Sequence, residues 1–215
     1  MSADTNRHWS TRRTGIVPTA PPSARFSKRT VLDEASRPTA PEPAPEVSFT
    51  ARGIAVGRHL VDVHDHYRGE LRELRGLLDR VTRGVITAGQ ARGELNRFAL
   101  RASNWALGGV CQRQCVSFAE HHTAEDGSIF PHLRSRQHSL RDVLDRLDLE
   151  HRVIGEVLEE IDTALVHLAR KPTEIGPITE VVDLLTDTML SHFAYEEREL
   201  IAPLAQHGFY PGQVR

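Results

Sequence analysis

The stretch SLRDVLDRLDLEHRVIGEVLEEIDTALVHL, residues 139–168, decides the fold class. Within it Leu144, Leu147, His151, Ile154, Leu158, Ile161, Leu165 and Leu168 recur at steps of three and four. That is one face of an α-helix, and it lacks the strict alternation of a half-buried strand. Ser139 with Asp142 three residues on has the spacing of a reciprocal N-terminal cap, and Lys171-Pro172 supplies the stop. His151 stands where the seam otherwise carries aliphatic side chains. An apolar seam admits an imidazole only where something satisfies its ring nitrogens.

Working outward, the same periodicity predicts three more helices. The first runs from about Ile54 to Val81 through Leu60, His64, Tyr67, Leu71, Leu74 and Leu78. Arg83-Gly84 breaks it, and Thr87 three residues before Gln90 can cap a second helix reaching about Phe130. The fourth starts at Pro177, a residue suited to a first helical position. It continues through Ile178, Val181, Leu185, Met189, His192 and Glu196 to His207-Gly208, with Pro203 expected to kink or end it early. Four helices of about 30 residues are each roughly 45 Å long, matched lengths that suit an all-α, antiparallel up-down-up-down four-helix bundle. The bundle is assigned to residues 51–208, and 209–215 are a short C-terminal tail. Residues 1–50 hold seven of the twelve prolines among Ser, Thr, Ala and Arg, a composition expected to form a disordered N-terminal tail. Its basic front part is read as solvated, with contact to an acidic protein partner as the alternative.

Charge and hydropathy exclude several functions. With 27 Lys and Arg against 29 Asp and Glu, scattered rather than clustered, the chain has no electrostatic footprint for nucleic acid or an anionic membrane. Apolar runs fall short of the roughly 20 residues that span a bilayer, and the N-terminus lacks a secretory signal. The two cysteines, Cys111 and Cys115, are four apart on one predicted helix, too constrained for a local disulfide. Cytoplasmic localisation is the expectation.

The chemistry-bearing residues lie on the predicted seams: His64; His121, His122 and Glu125; His151; His192, Glu196 and Glu197. Residues four apart share a helical face, so His121 with Glu125 and His192 with Glu196 can each present an imidazole and a carboxylate to one point. This mixed nitrogen and oxygen set suits iron, manganese or zinc, and it has more donors than one tetrahedral zinc takes. A carboxylate can bridge two ions, so the set can hold a pair. His66 lies about 200° around the helix from His64 and is read as solvent-facing. His59, His132, His138, His167 and His207 are read as surface residues, and Asp126 and Glu197 either as residues that orient a histidine or as solvated charges.

Four segments carry a resemblance. They are His64-Asp65-His66-Tyr67-Arg68-x-Glu70-Leu71, His121-His122-x-x-Glu125-Asp126-x-x-Ile129-Phe130-Pro131-x-Leu133, Leu149-Glu150-His151-x-x-Ile154, and His192-Phe193-x-x-Glu196-Glu197-x-x-Leu200. Together, over about residues 55–206, they resemble the hemerythrin-like family of HHE cation-binding domains. The resemblance implies a non-haem site with two iron ions joined by an oxo or hydroxo bridge. It also implies a small diatomic or peroxide ligand (O2, NO or H2O2), and either catalase-like peroxide decomposition or non-catalytic sensing of oxygen, iron or NO. By position the ligands are His64, His121, Glu125, His151, His192 and Glu196, with His122 and Glu197 as further candidates. Tyr67, one turn beyond His64, is the candidate catalytic phenol. Oxygen-carrying members have two histidines four apart on the third helix, whereas here Leu147 and Gly155 flank His151 at that spacing. Either a coordination position is open or another residue fills it.

Overall fold

The computed structural model describes residues 8–85, 121–171 and 173–214. Helix α1 is Trp9–Thr14, α2 is Ala51–Thr82, α3 is Phe130–Arg136, α4 is Arg141–Arg170 and α5 is Gly176–His207. No strand occurs among the described residues. The second predicted helix falls mostly on residues 86–120, together with Cys111 and Cys115, outside the described residues. Only its end is seen, running helically from 121 through a π-helical turn, Glu125–Ile129, into α3.

The long helices match the periodic seams, with local differences at their ends. Thr50 caps α2, its Oγ1 accepting from the Gly53 N–H at 3.0 Å. Ser139 does not cap α4. It lies inside a 3-10 turn, His138–Leu140, and its hydroxyl accepts instead from the Gln137 side-chain amide at 3.2 Å. Pro203 does not end α5, which continues to His207 and closes with the Gly208 N–H on the Leu204 carbonyl at 2.8 Å. Burial of the surrounding turns, with Leu200, Ile201, Ala202 and Leu204 all sequestered, outweighs the loss of one ladder bond.

Helices α2 and α5 are antiparallel. Gly53 lies against Ala205, Gly57 against Ile201, His64 against Glu197, and Arg75 pairs with Asp183 at 2.7 Å. The crossing is so close at the first pair that a Cβ on Gly53 would sit 2.0 Å from the Ala205 carbonyl oxygen. Two large apolar clusters and a small one of Ile16, Val61 and Ile201 form around α5. One large cluster joins Leu71, Leu74 and Leu78 to Ile154, Ile161, Leu185 and Met189. The other joins Leu60 to Phe130, Leu133, Leu144, Leu147 and Leu200. His64, His151 and His192 fall between the two large clusters on their respective helices, so the fold brings one polar layer into the middle of an apolar seam.

Residues 8–50 contradict the expectation of a disordered tail. They lie against the bundle with Trp9, Ile16, Leu32 and Ala40 buried, and the Trp9 indole donates to the Ala40 carbonyl at 2.9 Å. Composition correctly says that this segment has no core of its own, but it borrows the bundle's. Its backbone N–H groups satisfy buried acids on α5. Phe26 and Ser27 donate to Asp187, Thr19 to Glu197 and Ala40 to Glu199, at 2.6–3.2 Å. Residues 209–214 are folded against themselves too, with the Phe209 N–H donating to the Gln213 side chain at 2.6 Å.

Candidate metal centre

Each element delivers its donors for a local reason. On α2 and α4, His64 and His151 occupy seam positions. On α5, His192 and Glu196 are one turn apart on the same face. The helix before α3 contributes two adjacent imidazoles. Consecutive residues diverge by about 100°, so His121 and His122 cannot serve the same point, and they do not. His64, His121, Glu125 and Glu196 form one group, and His122, His151 and His192 form another, with the donor atoms in each within 4.8 Å of one another. Either group could hold a metal ion.

The two carboxylates lie between the groups. Glu125 Oε1 is 3.2 Å from His121 Nε2, and its Oε2 is 3.6 Å from His151 Nε2. Glu196 Oε2 is 3.4 Å from His64 Nε2 and 3.6 Å from His192 Nε2. The π-helical turn begins at Glu125, turning Glu125 inward while Asp126 meets α4.

The outer nitrogens of three histidines are tied to carboxylates. His64 Nδ1 donates to Glu197 at 2.9 Å, His151 Nδ1 to Asp126 at 2.8 Å and His192 Nδ1 to Glu150 at 3.1 Å. Each bond fixes the tautomer, leaving a bare Nε2 lone pair pointing inward. His151 Nε2 and His192 Nε2 then face each other at 3.2 Å, two lone pairs that repel unless a cation lies between them. His64, His121 and His122 Nε2, Glu125 Oε2 and Glu196 Oε2 are all buried without a hydrogen-bond partner. Such orphans are costly in a folded interior, and a cation in each group would satisfy them. The residues fit a metal.

The electrostatics of three imidazoles agree. Burial drives His121 down to about 3 and His122 well below the ordinary imidazole range, so both stand neutral, as ligands must. Burial also lowers His192 against the pull of Glu150. Burial opposes charge on His64, but the carboxylates of Glu196 and Glu197 beside it outweigh burial and hold the ring above its usual value. Glu196 is held well below the carboxylate range because the surrounding imidazoles, His64 first, overcome its burial. Burial and the neighbouring Glu196 push Glu125 well up.

A family model for the hemerythrin HHE cation binding domain matches residues 55–204. The chain belongs to that family. No curated protein and no solved structure matches the chain significantly.

Within this hemerythrin-family chain, seven of the eight sequence-predicted donors converge. The exception is Glu197, which lies in neither group. It accepts from His64 and from the Thr19 N–H at 2.7 Å, and Arg68 lies 2.7 Å from it, so it sits behind a donor imidazole. A third imidazole reaches His151 and His192 from another helix. His122 stacks on His151 with ring centroids 4.1 Å apart and completes the three-imidazole group. Tyr67 is buried with its ring 5.1 Å from that of His121, whereas Tyr195 donates away from the centre to the Pro38 carbonyl at 3.0 Å. His66 is exposed as expected, but His132 is buried and meets the His207 carbonyl oxygen at 3.1 Å. Sequence reasoning missed Glu150 and Arg37. Glu150 is one residue before a seam histidine, a weak signal, and Arg37 had none.

Proposed function

We propose that this chain is a non-haem di-iron protein that binds and reacts with a small oxidant, O2, H2O2 or NO. The observation that carries the reading is the unequal division of donors. Three imidazoles gather at His122, His151 and His192, but two at His64 and His121, with Glu125 and Glu196 within reach of both groups. The poorer group has room for an external ligand, and two bound irons would supply Lewis acidity and a two-electron reservoir there.

The protein's own residues do the rest. Phe193 stacks on His64 at 4.2 Å, and the apolar cluster around Leu71 and Met189 keeps bulk water from that side. Glu197 and Arg68 hold His64 in place. Tyr67 stands beside His121, where its phenol can pass a proton to a small oxygen ligand. The leading enzymatic version is catalase-like, two H2O2 yielding two H2O and one O2, which balances without an organic cofactor. Among the described residues no helix is long and apolar enough to cross a membrane, and we assign the protein to the reducing cytoplasm.

The test is anaerobic loading with Fe(II), metal counting, and exposure to each oxidant in turn. Two irons per chain, a near-ultraviolet band on oxidation, and one O2 released per two H2O2 consumed are expected. Iron-loaded protein that leaves O2, H2O2 and NO untouched would overturn the proposal.

A further inference from the structure

We infer that the N-terminal segment is a working part of the metal centre: Arg37 is a positioning residue that sets His192 by way of Glu150, so docking of residues 8–50 and metal occupancy strengthen each other. The inference rests on the cation site proposed above. It concerns residues that precede the family match, which begins at 55.

The chain of contacts is short and buried. The Arg37 side chain is 8% exposed and forks onto Glu150, with Nε to Oε1 at 2.7 Å and Nη2 to Oε2 at 2.9 Å. Its remaining nitrogen, Nη1, donates to Ser191 Oγ at 3.0 Å, and the guanidinium lies 4.7 Å from the Tyr195 ring centre. Glu150, itself 1% exposed, accepts from His192 Nδ1 at 3.1 Å, and His192 Nε2 belongs to the three-imidazole group. A planar fork on both carboxylate oxygens fixes Glu150 in plane and in rotation. That orientation keeps the proton on His192 Nδ1 and aims Nε2 inward, and such supporting partners govern metal affinity.

The same segment reaches the other donor group. Thr19 N–H donates to Glu197 Oε2 at 2.7 Å, and Glu197 Oε1 accepts from His64 Nδ1 at 2.9 Å. One strap thus stands behind one histidine of each group. If docking orients the donors, occupied donors hold the strap by the same factor, because coupling between binding events is reciprocal. Arg29 provides an internal comparison. It pairs with Glu160 at 2.7 and 2.8 Å on the exposed surface and contacts neither Glu150 nor Glu197.

The experiment uses full-length chain and Fe(II) under anaerobic conditions, with affinity read by competition against a chromogenic chelator. Arg37→Ala should weaken binding of one of the two ions by about 10- to 100-fold. Arg37→Lys, which keeps the charge but cannot fork, should fall between it and wild type. Arg29→Ala should match wild type. Tryptic cleavage at the exposed Arg25 and Lys28 should slow when Fe(II) is added to wild type and much less when it is added to the Arg37 variants. Should Arg37→Ala fail to fold, Arg37→Lys carries the comparison. Wild-type affinity in Arg37→Lys and in any folded Arg37→Ala would overturn the inference. An equal loss in Arg29→Ala would reduce Arg37 to a general docking contact and overturn it too, as would a cleavage rate indifferent to metal. A wild-type chain that takes up no Fe(II) would instead overturn the cation site beneath it.

Discussion

Replacing His122 by Leu should push the metal-free and the metal-loaded protein in opposite directions. His122 is 6% exposed and its Nε2 has no hydrogen-bond partner. A buried polar atom left unsatisfied costs about 1–3 kcal/mol, and Leu removes that cost while occupying similar volume. Against this stands the lost stack on His151, at 4.1 Å between centroids, worth about 0.5–1.5 kcal/mol. Midpoints of about 2 and about 1 leave the metal-free variant more stable by about 1 kcal/mol, a rise of roughly 2–4 °C in Tm for a chain this size. In the loaded protein the group of His122, His151 and His192 falls to two imidazoles. Supporting partners alone are worth 10- to 100-fold in affinity, so a direct donor is worth at least about 100-fold, or about 2.7 kcal/mol. Thermal melts with chelator and with Fe(II), beside metal counting, read both effects: metal per chain should drop from two to about one. Adding Gly155→His should restore the second equivalent. Residue 155 is one turn beyond His151, and among the described residues nothing lies within 4 Å of a Cβ built there. A variant that melts lower without metal and still holds two ions would show that His122 is an ordinary core residue.

Other outcomes follow from the same geometry. Gly53→Ala should destabilise by at least about 2 kcal/mol in urea titrations, since its Cβ would meet the Ala205 carbonyl oxygen at 2.0 Å, whereas exposed Gly76→Ala should stabilise by about 0.5–1 kcal/mol. Equal effects at the two sites would refute the close crossing of α2 and α5. Asp126→Ala should cost about tenfold in Fe(II) affinity by freeing His151 Nδ1, and unchanged affinity would count against that support. The metal-free protein should lose stability as pH falls from 6.5 toward about 3, because burial lowers His121 across that window and the unfolded chain binds a proton the folded chain refuses. The slope from this group reaches about 1.4 kcal/mol per pH unit, with His122 acting in the same direction, while His64, which is raised, titrates above the window. A Tm independent of pH between 7 and 5 would exclude it.

What was legible in the chain is what repeats within one element. The steps of three and four around His64, His151 and His192 identify three helices and place each imidazole on a buried face, so the convergence of donors follows from spacing. Spacing also separates neighbours. Glu196 and Glu197 diverge by about 100°, so only one can face the centre and the other must turn behind it. The same divergence lets His121 and His122 feed different donor groups, which spacing alone could not assign because it depends on where the facing helices stand. Residues 8–50 were illegible for a different reason. An extended segment that docks through backbone N–H groups has no side-chain period, and Thr19, Phe26, Ser27 and Ala40 leave no signature for the bonds they make. Its trace lies on the partner helix. Asp187, Glu197 and Glu199 sit on α5 among apolar neighbours, and a helix that buries acids away from its metal-facing stripe must have donors covering it. Arg37 belongs to that cover, and its fork on Glu150 is the point at which the cover reaches the centre.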